Sequence, residues 1–391
     1  MAACVALLAG CGLFGGHPSA SRTWSSQVTG PPPAVDPQVP GQTPGQPGNP
    51  NPGNPGLPPG RSGGKGDPNV IAQGLAAPWG LALLPDGSAL VGERDTGRIL
   101  QVQPNPEPVH EVMAIHHLDT RGDGGLLGIA ISPAYQEDAL VYAYISTARD
   151  DRIVRFTLGG TPTPIFTGIP RGPGDDGGRI AFGPDGDLYV GTGDAGHPAL
   201  AGDRHSLAGK VLRITVFGKP APGNPVPGSP VFASGFHDVL GLCWNQRKEL
   251  YATDAASRRA DEVDLVRPGK DYGWPRAEGS ARRRGLVDPL VTLTPAEASP
   301  GGCAVLGYGL FVGALTGQRL LSVPLNTAGR PAGAARSLLT RVYGRLRSVV
   351  AAPDGALWVT TSNRDGHGHP TALDDRVLRI LPPSGTTMSP L

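Results

Sequence analysis

Past residue 67, apolar and polar positions alternate in short runs broken by turn residues, and the 3.6-residue period of an amphipathic helix is hard to find. One unit recurs: Gly or Arg, an apolar run, a turn, then a second apolar run. It stands as WGLALLPDGSALV from Trp79, as GLLGIAISPAYQEDALVYAYI from Gly125 and as GRIAFGPDGDLYVGT from Gly178. It returns as GLCWNQRKELYATD from Gly241, AVLGYGLFVGALTGQRLLSV from Ala304 and LRSVVAAPDGALWVTTS from Leu346. Six units at intervals of about 45–60 residues, each with several strands, predict an all-β fold: a six-bladed β-propeller of four-stranded blades. Each unit is a sheet that cannot bury both faces alone, and six around an axis bury them and leave a central channel. The Pro-Asp-Gly turns suit hairpins, since Pro presets φ and Gly takes positive φ. A two-sheet sandwich is the alternative, but its turn signals would fall every 8–12 residues or so.

Propellers carry function on the loops at one end of the channel. The loops rich in Gly and polar residues are 119–125, 171–178, 193–205, 235–241, 254–262, 343–347 and 362–369. The stretch 172–196, GPGDDGGRIAFGPDGDLYVGTGDAG, holds two acids before a Gly-Gly pair and ends in a second acidic Gly-rich turn. Its DGDLYVGTGD part lacks the ligand spacing and closing Glu of an EF-hand. His367 and His369, in RDGHGH, read as an exposed loop ahead of a metal pair.

Composition adds the ends of the chain. The 391 residues carry a net charge of +1 with both signs mixed, so the basic stripe that nucleic-acid binding needs is absent. The chain opens MAACVALLAGCG, an apolar run too short to span a bilayer, with small residues before Cys11. That pattern predicts a lipoprotein signal peptide over 1–11, with Cys11 lipidated as the mature N-terminus. A Pro/Gly-rich stretch over 12–66 cannot bury a core and reads as a disordered tether. The propeller then occupies 67–384 and a tail 385–391. This layout predicts an exported protein, lipid-anchored to the outer face of the cytoplasmic membrane. Cys4 goes with the signal, which leaves Cys243 and Cys303 to form one disulfide or remain as two buried thiols.

Six pieces in order, APWGLALLPDG, GDGGLLGIAISPAY, GGRIAFGPDGDLYVGTGDAG, LAGKVLRI, DEVDLVRPGKDYGWP and GRLRSVVAAPDGALWVTT with DDRVLRI, resemble the soluble quinoprotein glucose/sorbosone dehydrogenase family over roughly residues 68–382. The resemblance is nearest to actinobacterial lipoprotein members of the mycobacterial LppZ type. It implies a six-bladed propeller that binds pyrroloquinoline quinone (PQQ) and Ca2+ and oxidises aldoses. By the same resemblance, Asp175 stands where the family has its general-base His, and Asp194 is the acid that orients that base. Arg345 and Arg347 match the family's pair of PQQ-binding arginines, while His237 and Asp238 replace an Arg-Asn pair. Thr316 replaces a cofactor lysine, and Asp123 stands where Gln or Glu meets substrate. The backbone step that would hold the cofactor calcium falls at Ala256-Ser257. A second, structural calcium would use Glu262 and Tyr272, with Asp261 next door.

A carboxylate is a far weaker base than an imidazole near neutral pH, and Asp175 beside Asp194 brings two anions together unless a proton or a cation lies between. The site residues therefore imply a dehydrogenase-like propeller whose chemistry is lost or altered and whose channel mouth binds a sugar, an envelope glycan or a protein partner. The alternative is an active quinoprotein aldose or sorbosone dehydrogenase that passes hydride from a sugar carbon to PQQ. In a third reading, His237, His197 or His205 supplies a base from another loop, although nothing in the sequence places them near Asp175.

Overall fold

The protein is described by a computed structural model over residues 66–255 and 258–383. Cys11, the tether and Ala256 lie outside the described residues. Six four-stranded antiparallel sheets form among the described residues, each one blade. Their inner strands are Pro78–Leu83, Leu126–Ile131, Gly177–Phe182, Val239–Trp244, Pro300–Leu306 and Leu346–Ala351. These are the first halves of the six recurring units, and the second halves are the next strands outward. In the Pro-Asp-Gly turns between them, Gly87, Gly186 and Gly355 take φ of 86°, 82° and 84°.

The recurring glycines have a steric cause. A Cβ on Gly80 would lie 2.6 Å from the Leu127 carbonyl oxygen of the next blade, and one on Gly128 would lie 2.4 Å from that of Gly178. Inner strands of neighbouring blades thus approach backbone to backbone around the axis, which only glycine permits. Each inner strand also carries a register shift near its start, for example between Pro78 and Gly80, Leu126 and Ile129, and Gly177 and Ile180. Such bulges bend the strand and re-aim what precedes it. Here they lift the preceding loops over the channel mouth.

The last blade is completed from the far end of the chain. Val70–Gln73 pairs antiparallel with Arg376–Ile380 as the outermost strand of the blade that begins at Leu346. Apolar clusters between blades form the core, such as Leu81, Val91, Leu100, Trp358 and Val377 at the closing seam. Cys243 and Cys303 are bonded, which ties the inner strands of the fourth and fifth blades across 60 residues of sequence.

The floor of the channel mouth is a stack along the axis. The Arg179 guanidinium lies 4.7 Å from the Trp79 ring centre, and Arg347 lies 5.8 Å from the same ring. Arg179 donates from Nε to the Leu240 carbonyl (2.9 Å) and from Nη2 to Ser348 Oγ (2.9 Å). Burial first, and then Arg347, lower its pKa to about 9. Below this stack is a separate cavity of about 390 Å³, lined by Arg179, Ile129, Phe182, Cys243 and Cys303 among others.

The bridge constrains the unfolded chain, so Cys243→Ser should lower unfolding free energy by about 2–4 kcal/mol. Urea unfolding of wild type with and without reductant should show the same loss. An unchanged midpoint would mean the bridge carries no stability.

Candidate functional site

Loops 172–178 and 193–196 lie on one another at the mouth of the third blade. The Asp175 carbonyl accepts the Ala195 N–H at 3.0 Å. A Cβ on Gly193 would fall 1.7 Å from that same carbonyl, so the contact requires glycine. Asp175 itself has φ of 58°, an uncommon region for a residue other than glycine. The tight turn holds its carboxylate over the cavity.

That cavity is about 260 Å³ and is lined by Asp123, Asp175, His237, Asp238, Thr316, Arg345 and Arg347. The cofactor-side residues singled out in the sequence thus converge from five blades, apart from Ala256, whose neighbour Ala255 also lines the cavity. Asp194 sits just behind, fully buried, and accepts hydrogen bonds from Trp274 Nε1 (2.8 Å) and the Gly196 N–H (2.8 Å). His237 lies beside Asp175, with Nε2 3.7 Å from Asp175 Oδ2. Sequence alone had no means of placing it there, because the two residues come from adjoining blades. His197 and His205 do not line the cavity. Exposed His367 lines its rim, and His369 is also exposed.

The walls differ in charge. On one side Arg345 and Arg347 both contact Asp365 Oδ2, at 3.1 and 3.0 Å. Two guanidinium groups share one carboxylate, so this wall keeps a positive excess, and Arg94 adds to the lining. Burial raises the Asp365 pKa, but Arg347 and Arg345 outweigh it and the net shift is downward. On the other side burial, then Asp175, raises the Asp238 pKa well above the usual carboxylate range. Asp254 accepts the backbone N–H groups of His237 (2.9 Å) and Asp238 (2.5 Å), and burial lifts it to about 6. Burial works against a charged His237, but Asp254, Asp238 and Asp175 together raise its pKa. Asp175 is raised by burial, with His237 opposing and Asp194 and Asp123 adding.

Arg94, Trp79, Asp176, Asp365 and Trp274 complete the site and were not singled out in the sequence. Trp274 carried a usable signal, because it belongs to the YGWP turn. Asp365 sits in the loop 362–369 but reads there as an ordinary turn acid.

A family model described as Glucose / Sorbosone dehydrogenase matches residues 75–373. The chain belongs to this family. It is 44% identical to the PQQ-bound aldose sugar dehydrogenase of Streptomyces coelicolor, covering 79% of this chain and 95% of that one, with a TM-score of 0.77. It is 30% identical over 350 residues to the uncharacterized protein slr1608 of Synechocystis, covering 76% of this chain and 84% of that one. It is 24% identical over 336 residues to the aldose sugar dehydrogenase YliI of Escherichia coli, covering 76% and 90% of the two chains.

The family's calcium expectation can be tested on a second, small cavity. It has room for about one water-sized sphere and is lined by Asp254, Glu262, Tyr272 and Glu278, with His237 and Trp274 above. Burial first, then Asp254, lifts Glu262 to about 8. Two residues along the same strand face, Asp264 is fully buried and neither of its carboxylate oxygens has a hydrogen-bond partner. Orphaned carboxylate oxygens in a closed space fit a cation. Strand alternation turns Asp261 to the opposite face, where its Oδ2 accepts the Ser299 N–H at 2.6 Å, away from Glu262. The Tyr272 hydroxyl donates to the Leu265 carbonyl at 2.7 Å, so the phenol is already engaged. Glu262 lines this cavity, and Asp264, farther along the same strand face, holds the unpartnered oxygens without lining it; Asp264 is the acid that sequence matching passed over.

Glu262 binds a proton in the folded state at pH values where the unfolded chain has released it. Stability without cation therefore falls as pH rises from the ordinary carboxylate range to about 8. In EDTA the melting temperature should drop between roughly pH 5 and pH 8, and added Ca2+ should remove most of the drop. Glu262→Gln should flatten the EDTA curve. A Ca2+-independent curve of unchanged slope in the variant would exclude the site.

Proposed function

We propose that the protein is an exported, lipid-anchored propeller whose channel mouth binds a hydroxyl-rich ligand such as a sugar or envelope glycan, and in which PQQ-dependent oxidation is attenuated. The observation that carries this reading is the split pocket: the cofactor-side arginine wall is kept, and the position of the family's base holds Asp175.

The donor set fits a polyanionic quinone on one side. Arg345 and Arg347 would hold its carboxylates, since a guanidinium fork matches a carboxylate and, among the described residues, Asp365 is the acid they pair with. The quinone, when bound, supplies the hydride acceptor. The opposite wall handles the ligand hydroxyls. Asp123, exposed on its loop, accepts the Asp175 N–H at 3.0 Å and has lone pairs to spare for a sugar hydroxyl. Asp238 lines the same wall and accepts the Gly177 N–H at 2.7 Å. A carboxylate is an intrinsically weaker base than an imidazole near neutral pH, so the step that needs a base is the step that is attenuated. The signal peptide would direct export, and lipidated Cys11 with the 12–66 tether would hold such a module at the membrane surface with reach toward the wall.

PQQ titration of the purified protein in Ca2+, followed by absorbance, should show saturable binding. Arg345→Ala and Arg347→Ala should each weaken it by about 10–100-fold, the worth of one charge-assisted contact. Aldose turnover with an artificial acceptor should be low in wild type, and Asp175→His should raise it by about 10²–10³, within the span of general-base catalysis. Rapid wild-type turnover would defeat the attenuation. Absence of PQQ binding would defeat the cofactor part.

A further inference from the structure

We propose that Asp175, Asp194 and His237 form a site for a divalent transition-metal ion of the Zn2+ or Co2+ type at the mouth of the pocket. On this view Asp175 is a gained ligand as well as a lost base. The site stands whether or not the quinone binds.

One ligand atom from each of the three residues lies within 4.8 Å of the others, and His237 Nε2 and Asp175 Oδ2 are 3.7 Å apart. Metal–ligand bonds of about 2.0–2.2 Å put ligand atoms about 3.0–3.5 Å apart, so the three need to close by an ångström or so. Asp175, half-buried on a loop, is free to make that move.

Each residue is held as a ligand should be. His237 Nδ1 lies 2.6 Å from the Ala255 carbonyl oxygen, an acceptor only, so Nδ1 carries the hydrogen. In the neutral ring that leaves the Nε2 lone pair facing Asp175. A metal-bound imidazole usually has its other nitrogen anchored in this way. Asp194 is fixed by Trp274 Nε1 and the Gly196 N–H, and the Trp274 ring packs edge-on to His237 at 4.8 Å. Asp175 is the reverse case: its carboxylate accepts no hydrogen bond among the described residues, although its neighbours are in place.

Charge argues the same way. Asp175, Asp194, Asp238 and Asp254 surround His237, and among the described residues none of the four is ion-paired with Lys or Arg. Two close carboxylates facing an imidazole nitrogen are mutually unfavourable until a proton or a metal ion joins them. An imidazole nitrogen in the set selects against Ca2+, which takes oxygen ligands, and for a borderline ion. Three protein ligands leave at least one coordination position open toward the cavity. That position can take an oxygen from a hydroxyl-rich ligand.

The test uses purified protein stripped with EDTA, with no quinone present. Titration with Co2+ should give a saturable visible absorption at one equivalent and quench tryptophan emission, and Zn2+ should displace Co2+ with equal stoichiometry. Asp175→Asn keeps a residue that tolerates positive φ, and it should weaken Co2+ binding by more than tenfold, as should His237→Asn. Trp274→Phe, which removes the donor that holds Asp194, should weaken it by about 10–100-fold. Glu262→Gln, in the calcium cavity, should leave Co2+ affinity unchanged. The proposal is overturned if wild type binds no Co2+, if Asp175→Asn binds as wild type does, or if only Glu262→Gln abolishes binding. A matching melting temperature for Asp175→Asn confirms that it is folded. PQQ affinity measured on the same samples reports separately on the cofactor reading.

Discussion

A four-stranded sheet has two apolar faces and no way to cover both by itself. Nearly everything else in this molecule follows from how that is solved. Six sheets cover one another around an axis, so their inner strands must run close enough for backbone to meet backbone. Gly80 and Gly128 are required at those approaches. The repeated bulge at the start of the inner strands then lifts the loops above the ring. Ring closure takes a strand from the far end of the chain, Val70–Gln73, which covers the edge of the last blade. Residues as distant in sequence as Asp123 and Arg347 meet in one cavity because of this packing.

Burial sets the chemistry inside that cavity. The arginines are held at its edge because they share Asp365, and Arg347 also lies over the Trp79 ring. The opposite wall has no such compensation: burial raises the Asp238 pKa, and the surrounding acids raise that of His237. An imidazole at position 175 would ease this crowding by replacing an anion with a base. Asp175 increases it. A single substitution thus changes two properties together: how well a proton can be taken, and how strongly the wall attracts a cation.

The propeller was legible in the sequence because its signal is repeated. The six units correspond to the inner hairpins, and in three of them a Pro-Asp-Gly turn marks where the hairpin reverses. The closing strand was not legible, since Val70-Ile71-Ala72-Gln73 is too short to show a period and pairs some 300 residues away. The site was partly legible. Motif matching led to the residues from Asp123 to Arg347, but it could not show that His237 stands against Asp175, because that proximity depends on how adjoining blades pack. Alternation could have separated Asp261 from Glu262, and it pointed equally to Asp264, which family matching passed over. Asp365 escaped because a turn acid that neutralises two arginines looks like any other turn acid.

The Arg179–Trp79–Arg347 stack has one more consequence. It lies between two cavities along the axis and floors the upper one, which opens toward the loops. Whatever enters must leave by the same door, past the same loops. A spent ligand therefore blocks the next arrival until it backs out, and the residence time of the departing molecule limits exchange at this pocket.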